Sequence, residues 1–303
     1  MGRRSERLSG AGPRNAAGGG GDVIQVVSRA FDILRCFEGH DARLGNLDIA
    51  SRCSLPRSTV SRLTHTLTRM GQLVYLPQDQ KYRLGPGALA MGTVMARGLQ
   101  FRSLIRSRLQ ESAERIPGTI GFVVPDRFHM VYLEYARTCD VPPLNASTGT
   151  RISIARTAAG HAYVAALDRP AAEELAGDLA RELPEEAAEL RRWMAADRRS
   201  LHEKGYVVSC KLWHPQVHGI AIPLWSAKYR TFLVITIGLA AASYDEARLR
   251  TDVAPELFAL RQDIAHILDH RDHERLDGAL PISGARGPVL PPREARPASV
   301  AVE

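Results

Sequence analysis

LPRSTVSRLTHTLTRMG, from Leu55 to Gly71, decides the fold. Val60, Leu63, Leu67 and Met70 recur at helical spacing and form one apolar face. Arg57, Ser58, Ser61, Arg62 and His65 occupy the other. Pro56 suits the first helical position, where a missing N–H costs nothing, and Gly71 suits the end. A helix over Pro56–Met70 follows, with one face to bury and one polar face to explain.

The residues upstream supply the burial. Val26, Ala30, Ile33, Leu34 and Phe37 fall on one broad face of a first helix, stopped at Gly39 and His40. Leu47–Cys53 predicts a second short helix, with Leu47, Ala50 and Cys53 inward and Asn46 as its cap. Ser54 and Leu55 make a tight connection into the helix already described. Downstream, LVYL and KYRL are two strand-like runs on either side of PQDQ, a hairpin pattern. Helix, helix, turn, helix, hairpin is the order of a winged helix-turn-helix.

Charge is concentrated in this region. The chain of 303 residues carries a formal net charge of +7. Residues 23–86 hold nine Lys or Arg against five Asp or Glu, whereas residues 87–270 are nearly balanced, at 22 against 21. A basic helix-turn-helix predicts double-stranded DNA as the partner. In that geometry the third helix enters the major groove with its N-terminal residues leading. Arg57, Ser58, Thr59, Ser61, Arg62 and His65 are therefore the expected DNA contacts. Lys81 and Arg83 on the hairpin reach a neighbouring backbone or minor groove. Arg can fork onto guanine, and Ser and Thr can donate to phosphate or base. A solvated face with no partner is the alternative for any single amphipathic helix.

The remainder reads as a second, α+β domain with a mainly antiparallel sheet. A helical stretch runs over residues 87–113. GFVV and MVYLEYA flank the turn PDRFH, residues 156–167 and 169–204 are helical, and GYVVSC, HGIAIPLW and TFLVITIGLA are strands. A final helix begins at Ser243, taken as its cap, and runs to Asp269. The expected organisation is a disordered basic tail over 1–22, a DNA-binding domain over 23–86, a linker helix over 87–100, an effector domain over 101–270 and a second disordered tail over 271–303. Leu89, Met91, Val94 and Met95 on the linker are the expected contact of a homodimer or tetramer.

Several classes are excluded or disfavoured. No run approaches the roughly 20 apolar residues of a membrane span, and the N-terminus has no apolar signal core. Cys36, Cys53, Cys139 and Cys210 form no CxxC and no disulfide framework, which fits a reducing cytoplasm. No GxSxG, Walker or Rossmann glycine pattern is present, and no His–carboxylate constellation stands out, so catalysis is not expected. Cys210, His214 and His218 have a spacing that would align three metal ligands on a helix. Pro215 interrupts it and the surroundings predict a loop, so no metal and no cofactor is expected.

SRAFDIL, LDIASRCSLPRSTVSRLTHTLTRMGQLV and KYRLG resemble the DNA-binding domain of the isocitrate lyase regulator (IclR) family of bacterial transcription factors. TGTRISIARTAAGHA, EKGYVVS and HGIAIPL extend the resemblance to about residues 23–270. It implies a winged helix, a linker helix and a GAF-like domain that binds a small effector. It also implies dimers or tetramers on palindromic operators. Carried over by position, the effector pocket takes Thr157, Ala158, Ala159 and Gly160 at a helix N-terminus, whose N–H groups attract carboxylates. The alternative is that Ala159 and Gly160 are small so that the helix packs on the sheet. The strand positions carried over are Ser209, Gly219, Ile235 and Ile237, with Trp213 and His214 at the mouth. Ser153 replaces the proline usual after GTR, and CKLWHPQVH replaces an acidic run. These departures predict a less negative pocket and a larger, partly apolar effector. The rival functions are a regulator working through protein contacts alone and an uncharacterised enzyme.

Overall fold

The computed structural model describes residues 24–37, 42–99, 101–138, 146–227 and 229–270, without the side chains of 95–98 and 270. The two segments expected to be disordered tails lie outside the described residues, as do Gly39, His40, Gln100, Cys139 and the Met95 side chain. The chain divides into two compact units, residues 1–96 and 97–303.

The first unit holds α1 (Gln25–Arg35), α2 (Asn46–Cys53), α3 (Arg57–Arg69), β1 (Leu73–Leu76), β2 (Lys81–Leu84) and most of α4 (Pro86–Gly98). Ile33, Phe37, Leu44, Ile49, Val60, Leu67 and Leu73 form its core. The hairpin pairs Leu73 with Leu84 and Leu76 with Lys81. Leu44 adds a bridge to Tyr82, with bonds of 3.0 and 2.8 Å. At the end of α3 the chain reverses through Gly71 at φ +72°, a backbone that a Cβ disfavours.

Four local expectations are corrected. Leu47 is 57% exposed, and Ile49, two residues on, takes the core position of α2. Met70 is 65% exposed because α3 ends at Arg69, one residue before the apolar stripe would bring it inward. Asn46 does not cap α2; Gly45 is the cap residue, and its N–H donates to Asp48 Oδ2 at 2.9 Å. Pro56 is the cap residue of α3 rather than its first helical residue.

The second unit contains α5 (Arg102–Arg115), β3 (Thr119–Asp126), β4 (His129–Arg137), β5 (Arg151–Ser153), α6 (Ala158–Ala166), α7 (Arg169–Glu182), α8 (Pro184–Lys204), β6 (Val207–Cys210), β7 (Val217–Ser226) and β8 (Thr231–Ala240). It ends in a short α9 (Glu246–Arg248), a π-helical turn (Leu249–Val253) and α10 (Ala254–His270). Six strands form one antiparallel sheet in the order β5-β4-β3-β8-β7-β6. Such a helix-flanked antiparallel sheet is the architecture expected of a GAF-like domain.

Both faces of the sheet are covered, which is why β3, β7 and β8 are nearly continuous apolar runs. Alternate residues serve opposite cores. Ile220, Ile222, Leu233, Ile235 and Ile237 pack with α5 and α10. Val123, Ala221, Phe232 and Val234 pack on the side of α6, α7 and α8. The stretch over 87–113 is two helices, interrupted around Leu99. The stretch over 169–204 is also two, broken at Leu183 where Pro184 opens α8. The cap of the last helical region is Asp245, whose side chain accepts from Arg248 N at 2.8 Å; Ser243 instead offers its carbonyl to Arg248.

Candidate nucleic-acid interface and effector pocket

α3 presents its N-terminal polar side chains to solvent. Val60 and Leu67 anchor one face in the core. Thr64, fully buried, donates to the Val60 carbonyl at 2.9 Å and lies 3.2 Å from Asn46 Oδ1. That contact ties the middle of α3 to the start of α2. The tight connection between the two helices runs through Ser54 in the left-handed region, at φ +51°.

Arg57, Ser58, Ser61, Arg62 and His65 are exposed, and Thr59 is half-buried. None of these six side chains has a hydrogen-bond or ion-pair partner among the described residues. Lys81 and Arg83 on β2 are exposed in the same way. Arg69 in the last turn of α3 is a further exposed cation that sequence reasoning missed. By contrast, Arg43 is tied to Asp79 at 3.0 Å. Unpaired cations and hydroxyls on the leading turns of a Pro-initiated helix are free to meet phosphates and base edges.

The second candidate site lies where the N-terminus of α6 meets the sheet. A small cavity of about 40 Å³ is lined by Tyr132, Ile152, Thr157, Ala158, Ser209, Trp213, Val217, Gly219, Thr236 and Gly238. Thr157 caps α6, accepting from Gly160 N at 3.3 Å while donating to the Ser153 carbonyl at 2.8 Å. Gly219 keeps the cavity open: a Cβ there would stand 3.0 Å from the Ala158 Cβ. Burial pushes the Tyr132 hydroxyl up to about 12, so it offers a neutral O–H. The lining is hydroxyls, small residues and apolar side chains, with no charged group.

Five of the ten sequence-derived pocket residues line this cavity: Thr157, Ala158, Ser209, Trp213 and Gly219. The other five do not. Ile235 and Ile237 are fully buried on the opposite face of the sheet, because side chains alternate along β8; Thr236 and Gly238 take the pocket positions. Ala159 is fully buried in the α6 core. Gly160 is pressed against Ile154, where a Cβ would stand 2.1 Å from its carbonyl oxygen. The two explanations for the small residues thus divide by position: Ala158 borders the cavity, whereas Gly160 permits packing. His214 sits in the turn before β7, with its Nδ1 accepting from Gln216 N at 3.2 Å. Tyr132, Ile152, Val217, Thr236 and Gly238 were missed; strict alternation from Val234 would have found the last two.

Cys210 and His218 face each other across β6 and β7, and His214 lies in the intervening turn. One His–carboxylate pair is buried. His161 Nδ1 is 2.8 Å from Asp197 Oδ2, and its Nε2 is 2.8 Å from the Ala155 carbonyl. Both ring nitrogens face oxygen atoms.

Comparison with known proteins follows the same division. Residues 26–77 match the IclR helix-turn-helix domain. The regulator TsaQ1/TsaQ2 of Comamonas testosteroni is 26% identical over 247 residues, 81% of this chain and 88% of its own. XynR of Escherichia coli is 25% identical, over 75% of this chain and 90% of its own. The structure of an IclR family transcriptional regulator from Brucella abortus superposes with a TM-score of 0.69 at 28% identity, covering 81% and 92% of the two chains. An IclR homologue from Microbacterium hydrocarbonoxydans, complexed with 4-hydroxybenzoate, shares the fold at 20% identity with a TM-score of 0.58 over 81% and 99%.

Proposed function

We propose that this chain is a transcriptional regulator of the IclR family, and that it binds a palindromic operator as a homo-oligomer under the control of a small, partly apolar organic effector. The observation that carries the DNA reading is the set of exposed α3 side chains without a partner among the described residues: Arg57, Ser58, Ser61, Arg62 and His65. They stand on a helix anchored by Val60, Thr64 and Leu67, so the display is rigid. The proteins it resembles are named as regulators rather than enzymes.

The lining of the small cavity supports the effector class. Thr157, Ser209, Thr236 and Tyr132 supply hydroxyls, Ile152, Trp213 and Val217 supply apolar surface, and no carboxylate repels an acid. In its present shape the cavity, at about 40 Å³, has room for nothing larger than water, so an organic ligand must widen it. Exposed apolar residues support the oligomer. Leu89, Met91 and Val94 on α4 and Val26, Val27 and Phe31 on α1 all stand in solvent. No described helix is long and apolar enough to cross a membrane, and the cytoplasm, where the operator lies, is the proposed site of action.

The test is fluorescence anisotropy with the intergenic DNA beside the gene, at two salt concentrations, with and without 4-hydroxybenzoate and a series of aryl and alkyl acids. Sequence-selective binding with a steep salt dependence supports the reading. Equal affinity for unrelated DNA sinks it.

A further inference from the structure

A second cleft in this unit has no role in the effector pocket described above. It measures about 690 Å³, within the range of small-molecule sites. β6 forms its floor, α8 one wall, and α9 with the π-helical turn the other.

Four features converge there. Among the described residues β6 is the last strand of the sheet, paired with β7 alone. Lys211 N donates to the Val217 carbonyl at 3.0 Å. By the alternation of antiparallel pairing, Ser209 bonds inward to Gly219, while Val208 and Cys210 turn their N–H and C=O groups outward to the cleft. Lys204 and Arg250 line the cleft, and neither has an ion-pair or hydrogen-bond partner among the described residues. Trp193, Tyr206 and Leu212 supply an aromatic and apolar surface beside these cations. Glu246, also without a hydrogen-bond or ion-pair partner among the described residues, stands near Tyr206 and Cys210, whose pKa values are raised first by burial and then by its charge, against Arg250 at Tyr206 and Lys211 at Cys210.

We propose that this cleft is a second ligand site, for a monocarboxylic acid with an aryl or medium-length alkyl body. The carboxylate is held by Lys204, Arg250 and an outward N–H of β6, and the body lies against Trp193 and Leu212. Glu246 rejects a second negative charge. The proposal rests on the reading that this unit takes small organic ligands, but at a different place. The two sites are mechanically joined: Ser209 lines both, and His161, on the helix that borders the small cavity, holds Asp197 in the cleft wall.

Two full-length variants separate the sites. Trp213→Phe with Trp225→Phe leaves Trp193 to report the cleft. Trp193→Phe with Trp225→Phe leaves Trp213 to report the small cavity. Benzoate, 4-phenylbutyrate and octanoate are titrated, with terephthalate as the dianion. The expected result is a saturable change in Trp193 emission with the monocarboxylates and none with terephthalate. Lys204→Glu with Arg250→Glu weakens the response at least about tenfold. Ala247→Phe, which fills the cleft from the other wall without adding a second fluorophore, removes it, and Glu246→Gln admits terephthalate. Silence of Trp193 to all three monocarboxylates overturns the proposal, as does a response indifferent to the charge reversal. If Trp213 alone responds, the cleft proposal fails while the effector-pocket reading stands.

Discussion

Gly160 and Ile154 are packed backbone to backbone: a Cβ on the glycine would stand 2.1 Å from the Ile154 carbonyl oxygen and 2.3 Å from its Cα. No side-chain rotation relieves that overlap. Gly160→Ala must therefore push α6 off the turn that carries Thr157. The expected cost is about 1–3 kcal/mol of stability, the range for overpacked cores. Loss of ligand response should accompany it, while the DNA affinity proposed for the other unit changes less. Urea denaturation and a ligand titration check both parts; a wild-type midpoint contradicts the packing argument.

Ser54 is in the left-handed region at φ +51° in the turn that joins α2 to α3. An L side chain pays about 1–2 kcal/mol there, and glycine does not, although glycine loses more entropy on folding. Ser54→Gly should stabilise the DNA-binding unit by about 0.5–1 kcal/mol. Thermal melting measures this, and a lower melting temperature would show that the serine makes a compensating contact.

Arg57→Ala and Arg62→Ala remove unpartnered cations, so circular dichroism should be unchanged. A variant that loses a base contact should bind the operator about 1–3 kcal/mol more weakly and lose selectivity. One that loses a phosphate contact should weaken all DNA alike and lower the salt slope by about 1. Unchanged operator affinity in both variants means that another face meets DNA.

His129 is held neutral by its surroundings. Burial is the larger cause and the Arg151 guanidinium, 2.9 Å from Nδ1, the next; together they lower its pKa to about 4, against weaker opposing effects of Glu186 and Asp126. The unfolded chain therefore binds the extra proton first. Stability from this residue is complete above about pH 6.5 and declines as the pH falls toward 4. His129→Gln should flatten the dependence of melting temperature on pH across that window.

The helix-turn-helix was legible because its information is local. The spacing of Val60, Leu63 and Leu67, the Pro before and the Gly after α3 each act within a few residues. Its misassignments, Leu47 and Met70, arose at helix ends, where a shift of one residue moves a side chain from core to solvent. Thr64 was not legible, because its partner Asn46 belongs to another helix. The pocket was legible to the level of strand but not of face. A strand covered on both sides loses the polar–apolar alternation that would say which residues face a cavity, so the sequence points to Ile235 and Ile237 where Thr236 and Gly238 form the lining.

That same alternation gives β8 two obligations. Thr236 borders the cavity, while Ile235 and Ile237, its chain neighbours, are wedged among α5 and α10. Covalent geometry allows no slack between adjacent residues. A ligand that forces Thr236 outward to make room must lift both isoleucines from their seats, so entry on one face of the sheet is felt as repacking on the other. The strand is a partition whose two faces share one backbone, so the cavity and the packing beneath α5 and α10 are separated by a single residue step.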